Sequence, residues 1–282
     1  MNNIALVTDS TSYLPKHLIE KYQISVAPQV LIWGKETFED GVDIQPEEFY
    51  SRLKNAKVMP STSQVTPKTF QKIFNDLIEK DYQILCILLS EKLSGTIASA
   101  VLAKEMFPGA TIEIFDSYMT AMAMGFQVLT VARALEDGAN LKECLELAKE
   151  AREKTGVVFA VDTLEFLHRG GRIGGGTRFL GTALSIKPIL ELQEGAVEGI
   201  EKVRTRAKSL SRLVEIVEER IAGRKPVRLA TLHANAPHEA QELLKIAEQR
   251  IGAIESVFTE VSPVVGTNTG PGTIGLAYMA GM

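Results

Sequence analysis

The sequence predicts an α/β protein of two lobes, and three observations lead to that fold class. Short β-rich runs alternate with helical patterns through the first half of the chain, which is typical of parallel β-α-β units. The runs IALV and ILCILL are almost continuously apolar, as expected when helices cover both faces of a sheet. After about residue 155 a glycine-rich stretch and a hairpin pattern replace this alternation. We therefore expect a parallel-sheet lobe followed by a lobe of different texture.

The first half is predicted to be doubly wound, with each apolar strand followed by a helix. The predicted strands are 4–8, 84–89 and 112–115, and the helices that follow them are 14–22, 96–107 and 119–135. A further helix is predicted over 141–154. Cys86 falls in a strand and Cys144 in a helix, without a Cys-x-x-Cys motif. Both are expected to be reduced core residues.

The second half is predicted to be an α/β sandwich that carries a hairpin. Its predicted strands are 157–161, 188–192, 197–203, 227–232 and 254–261, with a turn at Gly195, and its helices are 210–221 and 238–251. A glycine-rich loop over 266–272 is expected to lead into a short apolar helix over 273–280. The predicted lobes are 1–155 and 156–282 of one unit spanning 3–280, with segments near 60–75 able to exchange between them.

Composition excludes several classes of function. The chain has 282 residues, 45% of them apolar, and a net charge of −4 without a basic and aromatic stripe, so a nucleic-acid partner is not expected. Its longest apolar run is far shorter than a membrane span, and its start lacks the features of an export signal. We expect a cytoplasmic protein without stable membrane insertion.

Cofactor and metal motifs are missing from the sequence. The first strand is followed by Asp9-Ser10-Thr11-Ser12 and not by a glycine-rich dinucleotide loop, and no P-loop occurs. The histidines lack the spacing of a metal pair or a serine-hydrolase site; they are His17, His168, His233 and His238. We predict no cofactor, no metal and no catalytic residues. A phosphotransferase or hydrolase acting on a small polar substrate stays open as an alternative.

Hydroxyl-rich segments mark the candidate site. They are Asp9-Ser10-Thr11-Ser12, Pro60-Ser61-Thr62-Ser63-Gln64 and Ser94-Gly95-Thr96. In an open α/β sheet, ligands bind where such loops follow the carboxyl ends of strands. Capping of helix starts explains the first segment better, whereas the other two carry more hydroxyls than capping requires. A carboxylate, a phosphate or a sulfate would all suit them.

Two further stretches have compositions suited to a ligand or a partner. The segment 266–272 is dense in glycine and hydroxyls and could wrap around a polar group, or be a packed turn. Arginines 169 and 172 lie in a glycine tract that suits a mobile anion-pairing loop or an ordinary surface loop. A basic cluster over 202–208 is typical of a protected strand edge. A regulatory module that senses lipid and docks through these basic segments is a second alternative.

An ordered set of motifs resembles the DegV family. The motifs are VTDST near the start, PSTSQ at 60–64, LSGT at 93–96, FDS at 115–117, LHRGGRI at 167–173, KVRTRAK at 202–208 and GTNTGPGTIG at 266–275. The resemblance spans nearly the whole chain. It implies the two-lobed α/β fold shared by DegV proteins and dihydroxyacetone kinase subunits, with a long-chain fatty acid such as palmitate buried inside.

The resemblance also implies the roles of individual residues. Thr62 and Ser94 match the positions that hold the fatty-acid carboxylate in the family. Further headgroup or partner contacts are implied for Ser63, Gly95, Thr96, Arg172, Arg204 and Asn268. The family resemblance implies a non-catalytic, bacterial binding subunit, whose ATP-dependent kinase partner would phosphorylate the carboxylate.

The chain departs from the family pattern at Asn268, where the family commonly has histidine. Asparagine can donate a hydrogen bond, but it does not titrate near neutral pH. We expect lipid binding to survive this change, and support of phosphorylation to be the property that it affects.

Overall fold

The computed structural model describes residues 3–179 and 186–282, which form three β-sheets with flanking helices. The strands are β1 Ile4–Asp9, β2 Ser25–Ala27, β3 Val30–Trp33, β4 Glu36–Glu39, β5 Ser61–Ser63, β6 Gln83–Leu88, β7 Ile112–Asp116, β8 Thr155–Ala160, β9 Lys187–Gln193, β10 Ala196–Val203, β11 Val227–His233, β12 Glu255–Glu260 and β13 Ile274–Ala280. The α-helices are α1 Lys16–Lys21, α2 Pro46–Leu53, α3 Pro67–Ile78, α4 Thr96–Lys104, α5 Ala121–Glu136, α6 Leu141–Lys154, α7 Glu165–Arg169, α8 Arg206–Ile221, α9 Pro237–Ile251 and α10 Pro263–Thr269. Short 3-10 helices cover Ser10–Ser12 and Gly174–Phe179. The predicted α/β class is confirmed.

The first sheet is parallel throughout and has the strand order β2-β1-β6-β7. Its central strand β6 is buried on both faces. Ile84, Cys86 and Leu88 pack with helices α3 and α4, whereas Leu85 and Ile87 share a core with α5. This two-sided burial explains the continuous apolar run in the sequence, and the predicted doubly wound arrangement is confirmed.

The second sheet is mixed, with the order β10-β9-β8-β13-β11-β12. Its neighbours are antiparallel except β11 and β12. Strands β9 and β10 form the predicted hairpin, and Gly195 has φ +83° at its turn, a conformation that favours glycine. Helices α8 and α9 cover one face of this sheet.

The predicted ending of the chain is wrong in two respects. Residues 274–280 form strand β13 and not a helix, and this strand is buried between β8 and β11. A short apolar run cannot be assigned to helix or strand by periodicity alone, and here burial on both sides decides for the strand. Much of the predicted loop over 266–272 instead belongs to α10, which runs from Pro263 to Thr269.

A third, antiparallel sheet of order β4-β3-β5 was not predicted. This sheet and α2 belong to the first half of the chain, yet they pack against α10 near the end. Tyr50 Oη donates to the carbonyl of Val261 at 3.0 Å, and the N–H of Val264 donates to Asp40 Oδ1 at 3.2 Å. The six-stranded sheet begins at Thr155, but the predicted division of the chain there remains a prediction.

Helix α5 lies between the two large sheets, and most of its surface is buried. An all-round apolar helix of this kind belongs in a core. Gly125 lets α5 approach the first lobe closely, because a Cβ at this position would lie 2.6 Å from the backbone oxygen of Ser12. The contact joins α5 to the turn that follows β1.

Replacing Gly125 with alanine is expected to destabilise the protein by about 1–3 kcal/mol, because backbone or helix must shift to admit the methyl group. Helix propensity alone predicts the opposite sign, a gain of up to about 1 kcal/mol. Urea unfolding of the wild type and the variant distinguishes the two expectations by the sign of the change in the free energy of unfolding. A variant that is more stable than the wild type would contradict the close approach.

Candidate functional site

An apolar cavity lies between the parallel sheet, the six-stranded sheet and α10. Its unfilled space is about 860 Å³, counting the part open to solvent. Its apolar walls come from both large sheets and α10, and include Leu89, Val157, Phe159, Leu192, Val197, Leu232, Val261, Val264 and Val265. The cavity can therefore surround an extended apolar group.

Five of the predicted site residues line this cavity: Thr62, Ser63, Ser94, Arg172 and Asn268. They come from β5, the loop before α4, the loop after α7, and α10. Helix α10 brings these segments together, because it packs against both β5 and α7. Hydroxyl, amide and guanidinium groups thus meet at a cavity whose walls are otherwise largely apolar.

Thr62 and Ser63 lie on β5, which the sequence suggested only as a hydroxyl-rich loop. Thr62 is opposite the buried Leu31 of β3 in the antiparallel register. Both hydroxyl residues are half-buried. Pairing with β3 therefore fixes the backbone that presents them to the cavity.

Ser94, Gly95 and Thr96 begin helix α4. The hydroxyls of Ser94 and Thr96 are 2.9 Å apart, and Thr96 Oγ1 accepts from Gln29 Nε2 at 2.9 Å. Ser94 lines the cavity, whereas Thr96 is fully buried behind it. Gly95 is exposed, and a Cβ there would lie 3.2 Å from the side chain of Gln64. The close approach at this glycine is therefore made by Gln64 in this structure.

The two arginines of the prediction differ in position. Arg172 lines the cavity, and its Nε donates to the carbonyl of Leu93 at 3.0 Å while Nη1 donates to Gly170. These bonds hold the loop that carries Ser94. Arg204 is exposed at the end of β10 and is not among the cavity-lining residues. A role for Arg204 stays a prediction.

Asn268 lies on α10 with its amide against the chain around it. Its Nδ2 donates to the carbonyl of Val264 at 3.0 Å, and a Cβ on Gly170 would come within 2.1 Å of its Oδ1. Glycine at 170 is therefore required for this packing. Threonines 267 and 269 likewise donate to carbonyls four residues earlier, which is common for hydroxyls within helices.

The segment after β1 is both a cap and a link. Asp9 Oδ1 accepts from the N–H of Thr11 at 3.0 Å, so it caps the 3-10 helix. Its Oδ2 accepts from the N–H of Leu89 at 2.8 Å, which joins the carboxyl ends of β1 and β6. Burial raises the pKa of Asp9, and its hydrogen bonds with Thr11 and Leu89 oppose that shift. The structure thus bears out the capping interpretation and adds a tertiary role.

Sequence reasoning missed Gln29 and Asp40. Gln29 bonds to Thr96, and its backbone is held by Ser10 and Asp40. Asp40 accepts from Ser10 Oγ at 2.7 Å and from the N–H of Val264. Burial raises the pKa of Asp40 to about 6. Each is a single polar residue near a short strand, without a motif that could have revealed it.

Two other features are absent from the residues that the structure describes. Over 3–179 and 186–282, no cluster of His, Cys, Asp or Glu side chains could hold a metal ion. Within those same ranges, no helix is long and apolar enough to cross a membrane.

Fold and cavity together define an α/β protein with an apolar cavity between two unlike sheets. The chain belongs to the DegV family, described as uncharacterised proteins, whose model matches residues 3–281. Among curated relatives, Protein DegV of Bacillus subtilis is 33% identical over 98% of this chain and 99% of its own length. A DegV domain-containing protein of Streptomyces coelicolor is 36% identical over 97% of both chains.

Solved structures of DegV proteins have the same fold. A fatty-acid-binding DegV family protein from Thermus thermophilus superposes with a TM-score of 0.93 and 33% identity, covering 99% of each chain. DegV from Bacillus subtilis, a fatty acid binding protein, gives a TM-score of 0.90 and 31% identity over 99% of this chain and 100% of its own. The predicted family and fold are confirmed.

Asp40 is expected to make stability depend on pH. Its pKa is about 6 in the fold and 3.8 in the ordinary unfolded reference, so the folded state binds the proton more tightly between these values. The resulting stabilisation is complete below about 3.8 and is lost as the pH rises through about 6, at about 1.4 kcal/mol per unit of pKa shift.

Urea unfolding of wild type and Asp40→Asn at several pH values tests this expectation. The free energy of unfolding of the wild type minus that of the variant should fall as the pH rises from about 4.5 to 7. Asp43→Asn provides the control, because Asp43 is an exposed carboxyl in the same turn. A wild-type minus Asp40→Asn difference that stays constant with pH would show that Asp40 is not the titrating group.

Proposed function

We propose that this protein binds a long-chain fatty acid such as palmitate, with the acyl chain in the apolar cavity and the carboxylate on Thr62 and Ser94. The observation that carries the proposal is that both hydroxyl residues line a cavity with otherwise largely apolar walls. The fatty-acid binding of the similar proteins from Thermus thermophilus and Bacillus subtilis supports it.

The acyl chain would supply most of the affinity. Burial of each CH₂ group is worth roughly 0.8 kcal/mol, so about fourteen methylenes contribute on the order of 11 kcal/mol before ordering costs. The hydroxyls then orient the ligand, since hydrogen bonds to a charged acceptor contribute about 1.5–3 kcal/mol each. This division favours an amphipathic acid over a small polar substrate.

The protein acts as a carrier or binding subunit in this proposal, without chemistry of its own. It serves lipid transport or fatty-acid metabolism by presenting the carboxylate to an ATP-dependent kinase partner, which forms the acyl phosphate. The family resemblance motivates that partner. The guanidinium of Arg172, close to the Ser94 loop, adds positive charge near the bound carboxylate.

Native mass spectrometry of the purified protein, followed by organic extraction, is the direct test. A stoichiometric fatty acid among the co-purifying molecules is the expected result. A protein that is free of lipid and takes up no added palmitate would sink the proposal. A small polar enzyme substrate would then become the leading hypothesis.

The double variant Thr62→Val/Ser94→Ala is expected to bind palmitate at least about 10-fold more weakly, because the carboxylate loses two hydroxyl donors. Isothermal titration with palmitate measures the change. Ser61→Ala is the matched control, since Ser61 lies on the same strand but is exposed and does not line the cavity. Equal affinities of the double variant and this control would rule out the assigned carboxylate site.

The variant Asn268→His is expected to increase acyl-phosphate formation several-fold while changing palmitate affinity little. Histidine can carry charge and a proton near neutral pH, whereas asparagine cannot. Palmitate-loaded protein is incubated with ATP and the ATP-binding subunit of a bacterial fatty-acid kinase, and the acyl phosphate is trapped with hydroxylamine. Equal rates for wild type and variant would show that this position does not limit the transfer.

A further inference from the structure

A chain of buried hydrogen bonds leads from the interior to Ser94. Gln29 Nε2 donates to Thr96 Oγ1 at 2.9 Å, and Thr96 Oγ1 is 2.9 Å from Ser94 Oγ. Gln29 is 1% exposed and Thr96 is fully buried, so the bond between them does not compete with bulk water. Burial raises the pKa of the Asp9 carboxyl behind them, and the nearby Gln29 side chain opposes that shift. Ser94 and Gln29 line the cavity, whereas Thr96 does not.

The backbone of Gln29 is fixed on both sides. Its N–H donates to Ser10 Oγ at 3.1 Å, and its carbonyl accepts from the N–H of Asp40 at 2.9 Å. Because both backbone groups are hydrogen-bonded, the position of the Gln29 backbone from which the side chain extends is fixed. Gln29 is therefore a rigid support for Thr96.

The donor count limits the directions in which the hydroxyl protons can point. The oxygen of Thr96 accepts an amide proton from Gln29, which leaves Thr96 one proton to donate. That proton can go to Ser94 at 2.9 Å or back to Gln29 Oε1 at 3.2 Å, and the shorter contact favours Ser94. In that arrangement the oxygen of Ser94 accepts the Thr96 proton, and the proton of Ser94 is free to be donated to an acceptor in the cavity.

We propose that Gln29 is a positioning residue which, through Thr96, holds Ser94 as a hydrogen-bond donor and so gives the cavity its preference for an acid over an uncharged ligand of equal length. This inference rests on the proposed fatty-acid function. A carboxylate accepts stronger hydrogen bonds than a neutral oxygen. A Ser94 hydroxyl held as a donor therefore strengthens the binding of palmitate more than that of hexadecanol.

The test measures affinities for palmitate and hexadecanol in the full chain. Thr96→Val removes the hydroxyl between Gln29 and Ser94 with little change of shape. It is expected to weaken palmitate binding about 5- to 10-fold and hexadecanol binding less than about 2-fold. Thr96→Ser keeps the hydroxyl and should retain the wild-type ratio of the two affinities. Gln29→Met should show the same preferential loss of palmitate binding. Because Gln29 also lines the cavity, the two Thr96 variants are the ones that separate positioning of Ser94 from direct contact with the ligand.

Thr8→Val is the matched control, because it deletes a buried hydroxyl that bonds to the Ile87 carbonyl and does not line the cavity. It should leave the ratio of palmitate to hexadecanol affinity unchanged. If Thr96→Val weakens the binding of both ligands equally, or does not weaken the binding of palmitate, the positioning role of Gln29 and Thr96 is refuted while the proposed function is not. A wild-type protein that binds neither ligand would refute both the proposed function and the positioning role of Gln29. If Gln29→Met does not fold, the comparison of Thr96→Val with Thr96→Ser still tests whether the Thr96 hydroxyl holds Ser94 as a donor.

Discussion

The polar end of the cavity depends on the buried carboxyl of Asp9. A buried polar group is tolerated only where hydrogen-bond partners surround it, and Asp9 receives the N–H and hydroxyl of Thr11 and the N–H of Leu89. The bond to Leu89 fixes the start of the chain segment that leads to Ser94. Gln29 in turn bonds to Thr96 at the start of α4. One buried acid thus joins the parallel sheet to the candidate site.

The cavity itself weakens the packing around it. Atoms that line unfilled space lack dispersion partners on one side, and here they belong to both large sheets and to α10. A ligand that fills the space would restore those contacts and stabilise the fold by mass action. Bonds such as Tyr50 to Val261 and Val264 to Asp40 hold α10 in place independently of any ligand.

How much the sequence could predict depended on the strength of each signal. The parallel lobe was predictable because strands such as β6 are buried on both faces and are therefore continuously apolar. The sheet of β3, β4 and β5 was missed, since its strands have three or four residues and are partly exposed. Strand β13 was assigned to a helix because a short apolar run has no decisive period.

The same reasoning applies to the site. The segments that contain Thr62 and Ser94 stood out because hydroxyls cluster in them, and the resemblance to the DegV family implied these two residues. Gln29 and Asp40 stood alone, and their importance arises only from tertiary contacts across 67 and 224 positions of the chain. A residue that acts by supporting another leaves no local pattern.

The chemistry of the site favours neutral donors over a direct ion pair. Arg172 uses Nε and Nη1 of its guanidinium on the carbonyls of Leu93 and Gly170, so these hydrogen bonds hold the loop beside the cavity. Hydroxyls cost less to desolvate than charged groups. In the proposed function, a carboxylate on Thr62 and Ser94 would then be oriented without a strong charge pair, and the acyl chain would determine residence time. Such a headgroup can be handed to a partner without separating a buried ion pair, which is what a carrier requires.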